Sequence, residues 1–161
     1  YTPMKQRSCA GVYVGAVSGA LPPLMGWVAA EGKNWWGGVV LFCVLLFWQM
    51  PHFLAIAWLY RDEYEAAGLR MLPSDDPQGE RAGGIALGFA ILLAGAGFFP
   101  WFTGTVSGFH LPLSALLNFF MVGSALVFLL DRSRLTARRL FFASIVYLPL
   151  HLALFLCSVK A

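Results

Sequence analysis

Residues 35–60 read WWGGVVLFCVLLFWQMPHFLAIAWLY and contain no Asp, Glu, Lys or Arg. About twenty apolar residues in a helix are enough to span the hydrocarbon layer of a membrane. Four other segments, each of at least twenty residues, are equally free of charged residues, namely 9–30, 82–103, 111–130 and 140–159. A charge at mid-membrane costs roughly 2.5–3.5 kcal/mol on insertion scales, so five such gaps predict five transmembrane helices.

The composition of the whole chain supports the same fold class. Of 161 residues, 59% are hydrophobic and only 12% are charged, and the mean hydropathy is +0.70. A soluble domain of this length could not hide so much apolar surface inside one core. We therefore predict an all-α integral membrane protein, inserted in a lipid bilayer as a multi-pass chain.

The cations are distributed unevenly between the two sides of the predicted helices. Nine of the eleven lie on one side, and they are Lys5, Arg7, Arg61, Arg70, Arg81, Arg132, Arg134, Arg138 and Arg139. The positive-inside rule places this side in the cytoplasm, or in the matrix if the protein is mitochondrial. Because these cations flank membrane spans, topology explains them better than nucleic-acid binding, and we expect no nucleic-acid partner.

The connection 61–81 holds six of the eight acidic residues and lies on the basic side. Adjacent carboxylates such as Asp62 and Glu63 suit Mg²⁺, which is usually held by one or two carboxylates plus substrate phosphates. Ordinary interface charge is the alternative reading of this pair. A second acidic pair, Asp75 and Asp76, is expected to form a solvated turn.

The first residues of the chain could hold a diphosphate. If this stretch is helical, Tyr1 and Lys5 share a face, and Arg7 lies nearby. Cationic side chains at the interface can bind a diphosphate and stabilise it as it leaves. Membrane anchoring by positive charge is the alternative. The sequence begins at Tyr1 without an initiator Met, so we expect it to be a piece of a longer protein.

His52 is the most informative single residue. An imidazole deep in an apolar helix is rare and usually functional, and neutral imidazole is a good axial ligand for haem iron. The alternative is a hydrogen bond between two helices. In one continuous helix, His52 and Glu63 share a face about 16 Å apart, with Trp48 near the same stripe. His151 presents a weaker version of this pattern, and His110 is expected to be structural, in a short loop.

Three stretches resemble the protoheme IX farnesyltransferase family, a branch of the UbiA superfamily of intramembrane prenyltransferases. They are YTPMK at 1–5, SGALPPLMGW at 18–27 and FWQMPHFLAIAWLYRDEYEAAGLRMLP at 47–73. The similarity is close over residues 1 to about 75. It implies a bundle of nine transmembrane helices, to which residues 1–161 contribute the last five as the C-terminal portion of a single domain.

The resemblance also implies an activity. Members of the family transfer a farnesyl group from farnesyl diphosphate to a vinyl group of haem B, giving haem O and diphosphate, with Mg²⁺ as cofactor. By resemblance, Tyr1 and Lys5 match a Tyr-x-x-x-Lys motif for the diphosphate, and the pair Asp62 and Glu63 matches the second metal-binding motif. His52 matches the histidine associated with haem. The implied location is the bacterial cytoplasmic membrane or the mitochondrial inner membrane, with haem A synthase or oxidase assembly factors as downstream partners.

Two departures from the family pattern stand out. The family usually has an acid, then Asp, then Tyr, whereas this chain reads Asp62-Glu63-Tyr64, which leaves open which carboxylate meets the metal. The first aspartate-rich motif of the family is absent, so we expect this chain by itself to be inactive. The alternatives are another UbiA-type prenyltransferase acting on a quinone or chlorin precursor, and a transport subunit without catalysis.

Overall fold

The computed structural model describes residues 11–31, 35–68 and 76–159. These ranges form six α-helices, which are α1 (Gly11–Glu31), α2 (Trp36–Leu59), α3 (Arg61–Ala66), α4 (Glu80–Phe102), α5 (His110–Leu130) and α6 (Arg134–Ser158). Within the described ranges the only β-type pairing is an isolated bridge between Val106 and Val159. The predicted all-α class is confirmed.

Four of the helices are long and apolar enough to cross a membrane, namely α2, α4, α5 and α6. In α1 the corresponding apolar segment, Val14–Ala30, is shorter. The outward faces carry large apolar side chains, and Phe119, Phe102 and Leu130 are each more than two-thirds exposed. Such a surface needs lipid or protein to cover it. The chain is therefore a multi-pass integral membrane protein, with five apolar helices in the described ranges.

The five long helices pack as a closed group of four with α1 outside it. α2 contacts α4 and α6, and α5 contacts the same two helices from the other side, while α1 packs on α2. Small residues dominate the buried face of α4, where Ala82, Ala86 and Ala90 are fully or almost fully buried. Small side chains let helices approach closely in lipid, where packing drives association.

A glycine of α1 allows this helix to pack closely against α2. A Cβ on Gly19 would lie 2.7 Å from Oε1 of Gln49. Nε2 of Gln49 donates to the carbonyl of Ala16 at 3.3 Å, so this amide joins the two helices. The adjacent prolines 22 and 23 remove two backbone donors but do not end the helix, which continues to Glu31.

Histidine 110 proves to be the first residue of α5 rather than part of a loop. Its side chain is fully buried. Nε2 lies 3.2 Å from the carbonyl of Gly97 on α4, and Nδ1 lies 2.8 Å from Oγ of Ser158 on α6. The expected structural role agrees with this geometry, because the imidazole joins three helices.

A second set of polar side chains, Asn118, Tyr147 and His151, lies between the same three helices. The hydroxyl of Tyr147 donates to Oδ1 of Asn118 at 2.8 Å, and His151 stacks on Tyr147 with ring centroids 5.1 Å apart. The glycine at position 97 leaves the room for this arrangement, since a Cβ there would lie 2.8 Å from Cε1 of His151. Nδ1 of His151 is buried without a hydrogen-bond partner among the described residues.

The prediction of a solvated turn was wrong for Asp76, which is only 7% exposed. One of its carboxylate oxygens accepts a hydrogen bond from the backbone N–H of Ala82 at 2.8 Å. The first N–H groups of a helix have no partner within the helix, so a carboxylate at this position stabilises the start of α4. Asp75 lies outside the described residues.

Candidate functional site

The predicted acidic pair lies just beyond the membrane-spanning part of α2. Backbone hydrogen bonds from Tyr60 to Ile56 and from Tyr64 to Tyr60, both 3.0 Å, lead the chain from α2 into the short helix α3 with a single turn residue between them. Asp62 and Glu63 occupy the first turn of α3 and are both exposed. The connection 61–81 thus begins as a helix that continues from α2.

The first two turns of α6 face this acidic pair. Arg134 forms an ion pair with Asp62, and Arg61 approaches the other carboxylate oxygen of Asp62 at 3.4 Å. Glu63 forms no ion pair with the described residues and points to the same region as Arg138, because both line one cavity. The structure therefore brings two carboxylates and two guanidinium groups together from distant parts of the sequence.

The cavity between α2, α3 and α6 has a volume of about 490 Å³. Charged groups from α3 and α6 lie at its wet end, and apolar or aromatic side chains line the part nearer the membrane. Its lining residues are Leu59, Tyr60, Glu63, Arg134, Leu135, Arg138, Phe141 and Phe142. The cavity therefore suits a ligand with an anionic head, which would contact the charged end, and an apolar tail, which would contact the aromatic end.

His52 lies next to this cavity, through Phe141. Its imidazole is half-buried between two aromatic rings, with centroid distances of 4.7 Å to Trp48 and 5.2 Å to Phe141. Nδ1 of His52 lies 2.8 Å from Oγ of Ser144 on α6. The hydrogen bond between helices, which the sequence left open as the alternative for His52, is therefore present at one ring nitrogen, and the other nitrogen makes no hydrogen bond to the described residues.

The other predicted site residues do not line the cavity or lie outside the described residues. The indole N–H of Trp48 donates to the backbone carbonyl of Ser144 at 2.7 Å. Tyr64 is half-buried on α3 and does not line the cavity. Tyr1, Lys5 and Arg7 lie outside the described residues.

The donor set at the acidic pair is compatible with Mg²⁺. Carboxylate oxygens are the hard ligands that this ion prefers, and it commonly completes its shell with water and substrate phosphates. Within the described ranges no three His, Cys, Asp or Glu side chains gather closely enough to hold a metal by themselves. The two carboxylates of α3 would therefore need phosphate oxygens or further acids as partners.

Sequence reasoning missed four residues of this site. Arg134 and Arg138 were assigned only to topology, and Phe141 and Ser144 were not singled out. The spacing of the two arginines was an available signal, because residues four apart share a helix face, and both lie on the same side of the membrane as Asp62. Nothing in the sequence indicated that α6 would pack against α2.

Fold and site together define a helical membrane protein with an amphipathic cavity at the basic end of its bundle. Residues 1–146 match the UbiA prenyltransferase family. The chain belongs to this family, which confirms the resemblance seen in the sequence at the family level.

Several relatives are similar over nearly the whole chain. Protoheme IX farnesyltransferase of Opitutus terrae is 43% identical over 151 residues, covering 93% of this chain and 51% of that protein. The mitochondrial protoheme IX farnesyltransferase of Arabidopsis thaliana is 39% identical over 153 residues, covering 95% of this chain and 36% of that protein. The chain spans about half the length of the bacterial relatives that it matches along most of its length.

One solved structure has the same fold. It comes from work on digeranylgeranylglyceryl phosphate synthase in membranes, and it superposes with a TM-score of 0.86 over 96% of this chain and 54% of that one. The sequence identity is 18%, so this likeness concerns the fold.

Proposed function

We propose that the complete protein containing this chain transfers the farnesyl group of farnesyl diphosphate to a vinyl group of haem B, forming haem O. The names of the relatives support this choice of substrates. The observation that carries it in the structure is the alignment of α6 with α2 and α3. Arg134 and Arg138 lie opposite Asp62 and Glu63 at the wet end, and deeper along the same helix Phe141 covers the imidazole of His52.

The reaction needs an allylic cation and its capture by a vinyl group. The bond between C1 of the farnesyl chain and the diphosphate oxygen breaks, and the diphosphate leaves with the electron pair. The vinyl π electrons of haem B then form a new carbon–carbon bond to C1. Water adds to the cation left beside the porphyrin ring, and loss of one proton gives the hydroxyl group of haem O.

The wet end of the cavity would hold the diphosphate. Guanidinium groups bind phosphate oxygens through charge-assisted, often bidentate hydrogen bonds, which assigns this role to Arg134 and Arg138. The resemblance to the family would assign Tyr1, Lys5 and Arg7 to the diphosphate as well. Mg²⁺ held by Glu63 and Asp62 would neutralise the charge that develops on the leaving group.

The haem end would depend on His52. Of the three histidines, His110 has both ring nitrogens within hydrogen-bond distance of protein oxygens, and His151 is packed against Tyr147 and the backbone of Gly97 in the helix core. A haem cannot reach either ring without separating the helices. His52 is half-buried and retains one nitrogen without a hydrogen bond to the described residues, so it is the histidine best suited to contact the iron.

We also propose how this chain is placed in the complete protein and in the membrane. The chain would form the C-terminal five helices of one nine-helix UbiA-type domain, with the acidic connection after α2 facing the cytoplasm or the matrix. After the reaction, haem O would be transferred to a haem A synthase or an oxidase assembly factor. The first aspartate-rich motif would come from the other half of the protein, so this chain by itself would be inactive.

Pigment extraction tests the proposed function. Bacteria that express the complete protein should accumulate haem O, as seen by chromatography of extracted haems. Unchanged haem B in cells that contain the folded protein would refute the proposal. Turnover of a hydroxybenzoate without haem would point instead to another UbiA-type prenyltransferase, and failure to bind farnesyl diphosphate would point to a transport subunit.

Variants of His52 test the haem end separately. His52→Ala should weaken haem binding to the purified complete protein at least tenfold and leave farnesyl diphosphate binding within about twofold of the wild type, since loss of an iron ligand affects only one substrate. Equal losses for both substrates would mean that His52 has a packing role.

A further inference from the structure

Ser144 of α6 holds two ring side chains of α2, those of Trp48 and His52. It is fully buried. Its backbone carbonyl accepts the indole N–H of Trp48 at 2.7 Å, and its side-chain oxygen lies 2.8 Å from Nδ1 of His52. Trp48 and His52 are one helical turn apart, so a single residue of α6 holds both rings.

The direction of the hydrogen bond to His52 follows from a second contact of Ser144. Its hydroxyl oxygen lies 2.6 Å from the backbone carbonyl of Phe141. A carbonyl can only accept, and a serine hydroxyl has one hydrogen. An oxygen–oxygen contact this short requires that hydrogen between the two atoms. Ser144 therefore has only lone pairs to offer His52, and Nδ1 must be the donor.

A neutral imidazole that donates from Nδ1 has its lone pair at Nε2. In His52 this second nitrogen makes no hydrogen bond to the described residues. The ring cannot easily turn to exchange the two nitrogens, because Trp48 lies at an interplanar angle of 19° on it and Phe141 at 24°. Metal-ligating histidines are commonly fixed in this way, by an acceptor for the nitrogen that does not bind the metal.

We propose that Ser144 is a positioning residue for haem, which keeps His52 in the Nδ1–H form and presents the Nε2 lone pair to the iron of the substrate. This inference rests on the proposed function, since it assumes that haem is the acceptor. The hydroxyl of Ser144 does not touch the reacting atoms. Its effect passes through the orientation and tautomer of His52.

The test compares Ser144→Ala, Ser144→Thr and Ser124→Ala in the complete protein. The alanine variant at 144 loses the acceptor but keeps the backbone carbonyl that binds Trp48. Threonine restores an oxygen that can also bond to the preceding turn of the helix. Ser124 is the matched control, because its hydroxyl donates to the carbonyl of Phe120 at 2.8 Å and forms no hydrogen bond with a histidine.

Haem titration and the absorption and resonance Raman spectra of bound haem are the measurements. Ser144→Ala should weaken haem binding about 10–100-fold, the range seen when a supporting partner of a metal-bound histidine is removed. It should also shift the iron–histidine stretching band. Ser144→Thr should restore both properties, Ser124→Ala should change neither, and farnesyl diphosphate binding should stay within about twofold in all three.

The outcomes separate this inference from the proposed function. If the wild-type protein binds haem with an iron–histidine band that His52→Ala abolishes, but Ser144→Ala leaves affinity and band unchanged, Ser144 has no positioning role. The same conclusion follows if Ser144→Ala weakens both substrates equally, because that result indicates general loosening of the helices. If the wild-type protein neither binds haem nor forms haem O, the proposed function itself fails.

Discussion

Arg134, in the first turn of α6, forms an ion pair with Asp62 in the first turn of α3, 72 positions earlier in the chain. The contact joins two helices that extend from the same end of the bundle. It also affects the predicted metal site, because the charge of one of the two predicted ligands, Asp62, is already neutralised by the guanidinium group of Arg134. Glu63, without an ion pair among the described residues, is the carboxylate more available to a metal.

The Arg134–Asp62 pair should contribute little to folding. Both side chains are about 60% exposed, and exposed ion pairs are typically worth 0.2–1 kcal/mol. A double-mutant cycle with Asp62→Asn and Arg134→Gln, followed by reversible unfolding in mixed detergent, should give a coupling free energy below about 1 kcal/mol. Arg134→Gln should nevertheless weaken diphosphate binding, and a coupling of several kcal/mol with unchanged binding would assign the pair to stability instead.

Arg138 and its neighbour Arg139 offer a direct test of the diphosphate end. Arg138 lines the cavity beside Glu63, whereas Arg139 is exposed and does not line it. A hydrogen bond to a charged group is worth about 1.5–3 kcal/mol. Arg138→Gln should therefore weaken farnesyl diphosphate binding roughly tenfold or more, measured by calorimetry on the complete protein. Arg139→Gln should have an effect below about twofold, and equal effects of the two variants would show only a general influence of positive charge.

Glu63 and Glu65 form a comparable pair for the metal. Both are exposed residues of α3, but only Glu63 lines the cavity. Removal of one carboxylate ligand should raise the Mg²⁺ concentration needed for half-maximal diphosphate binding, because Mg²⁺ sites rely on few protein ligands. We expect a shift of roughly tenfold for Glu63→Gln and little change for Glu65→Gln. An unaltered Mg²⁺ dependence in Glu63→Gln would remove this residue from the metal site.

Gly97 should be intolerant of a side chain, unlike Gly95 on the same helix. A Cβ at position 97 would lie 2.8 Å from His151 and 3.1 Å from Asn118, whereas a Cβ at position 95 would meet no atom within 4 Å. Overpacking of a buried site costs roughly 1–3 kcal/mol. Gly97→Ala should lower the unfolding free energy by about this amount in detergent. Gly95→Ala should be neutral or slightly stabilising, since alanine favours helix, and equal stability of the two variants would contradict the packing described here.

His52 and His110 show what the local sequence predicts and what it does not. Sequence reasoning singled out His52 because an imidazole is unusual in an apolar helix, and it placed His110 in a structural role. It could not foresee that His110 bridges α4, α5 and α6, since its partners Gly97 and Ser158 are thirteen and forty-eight positions away. Local pattern predicts which residues are unusual, and tertiary packing determines what they contact.

Asp76 illustrates the opposite error. Prolines and neighbouring acids at 73–77 are typical of a solvated turn, and the carboxylate was interpreted accordingly. The structure turns it inward to the start of α4, where it accepts a backbone N–H that would otherwise lack a partner. Composition describes a turn well but does not indicate which of its polar groups the next helix requires.

The sequence by itself determined that the chain is helical and inserted in a membrane, because the energetic cost of placing a charge in hydrocarbon depends only on local composition. The uneven cations predict its orientation. Its motifs also determined the family. Only the tertiary structure decided that α6 lies along α2, and thereby that Arg134, Arg138 and Ser144 meet the acidic pair and His52. Helix faces in lipid are all apolar, so hydrophobicity cannot select their partners, and that choice depends on the fit of small residues and on a few buried hydrogen bonds.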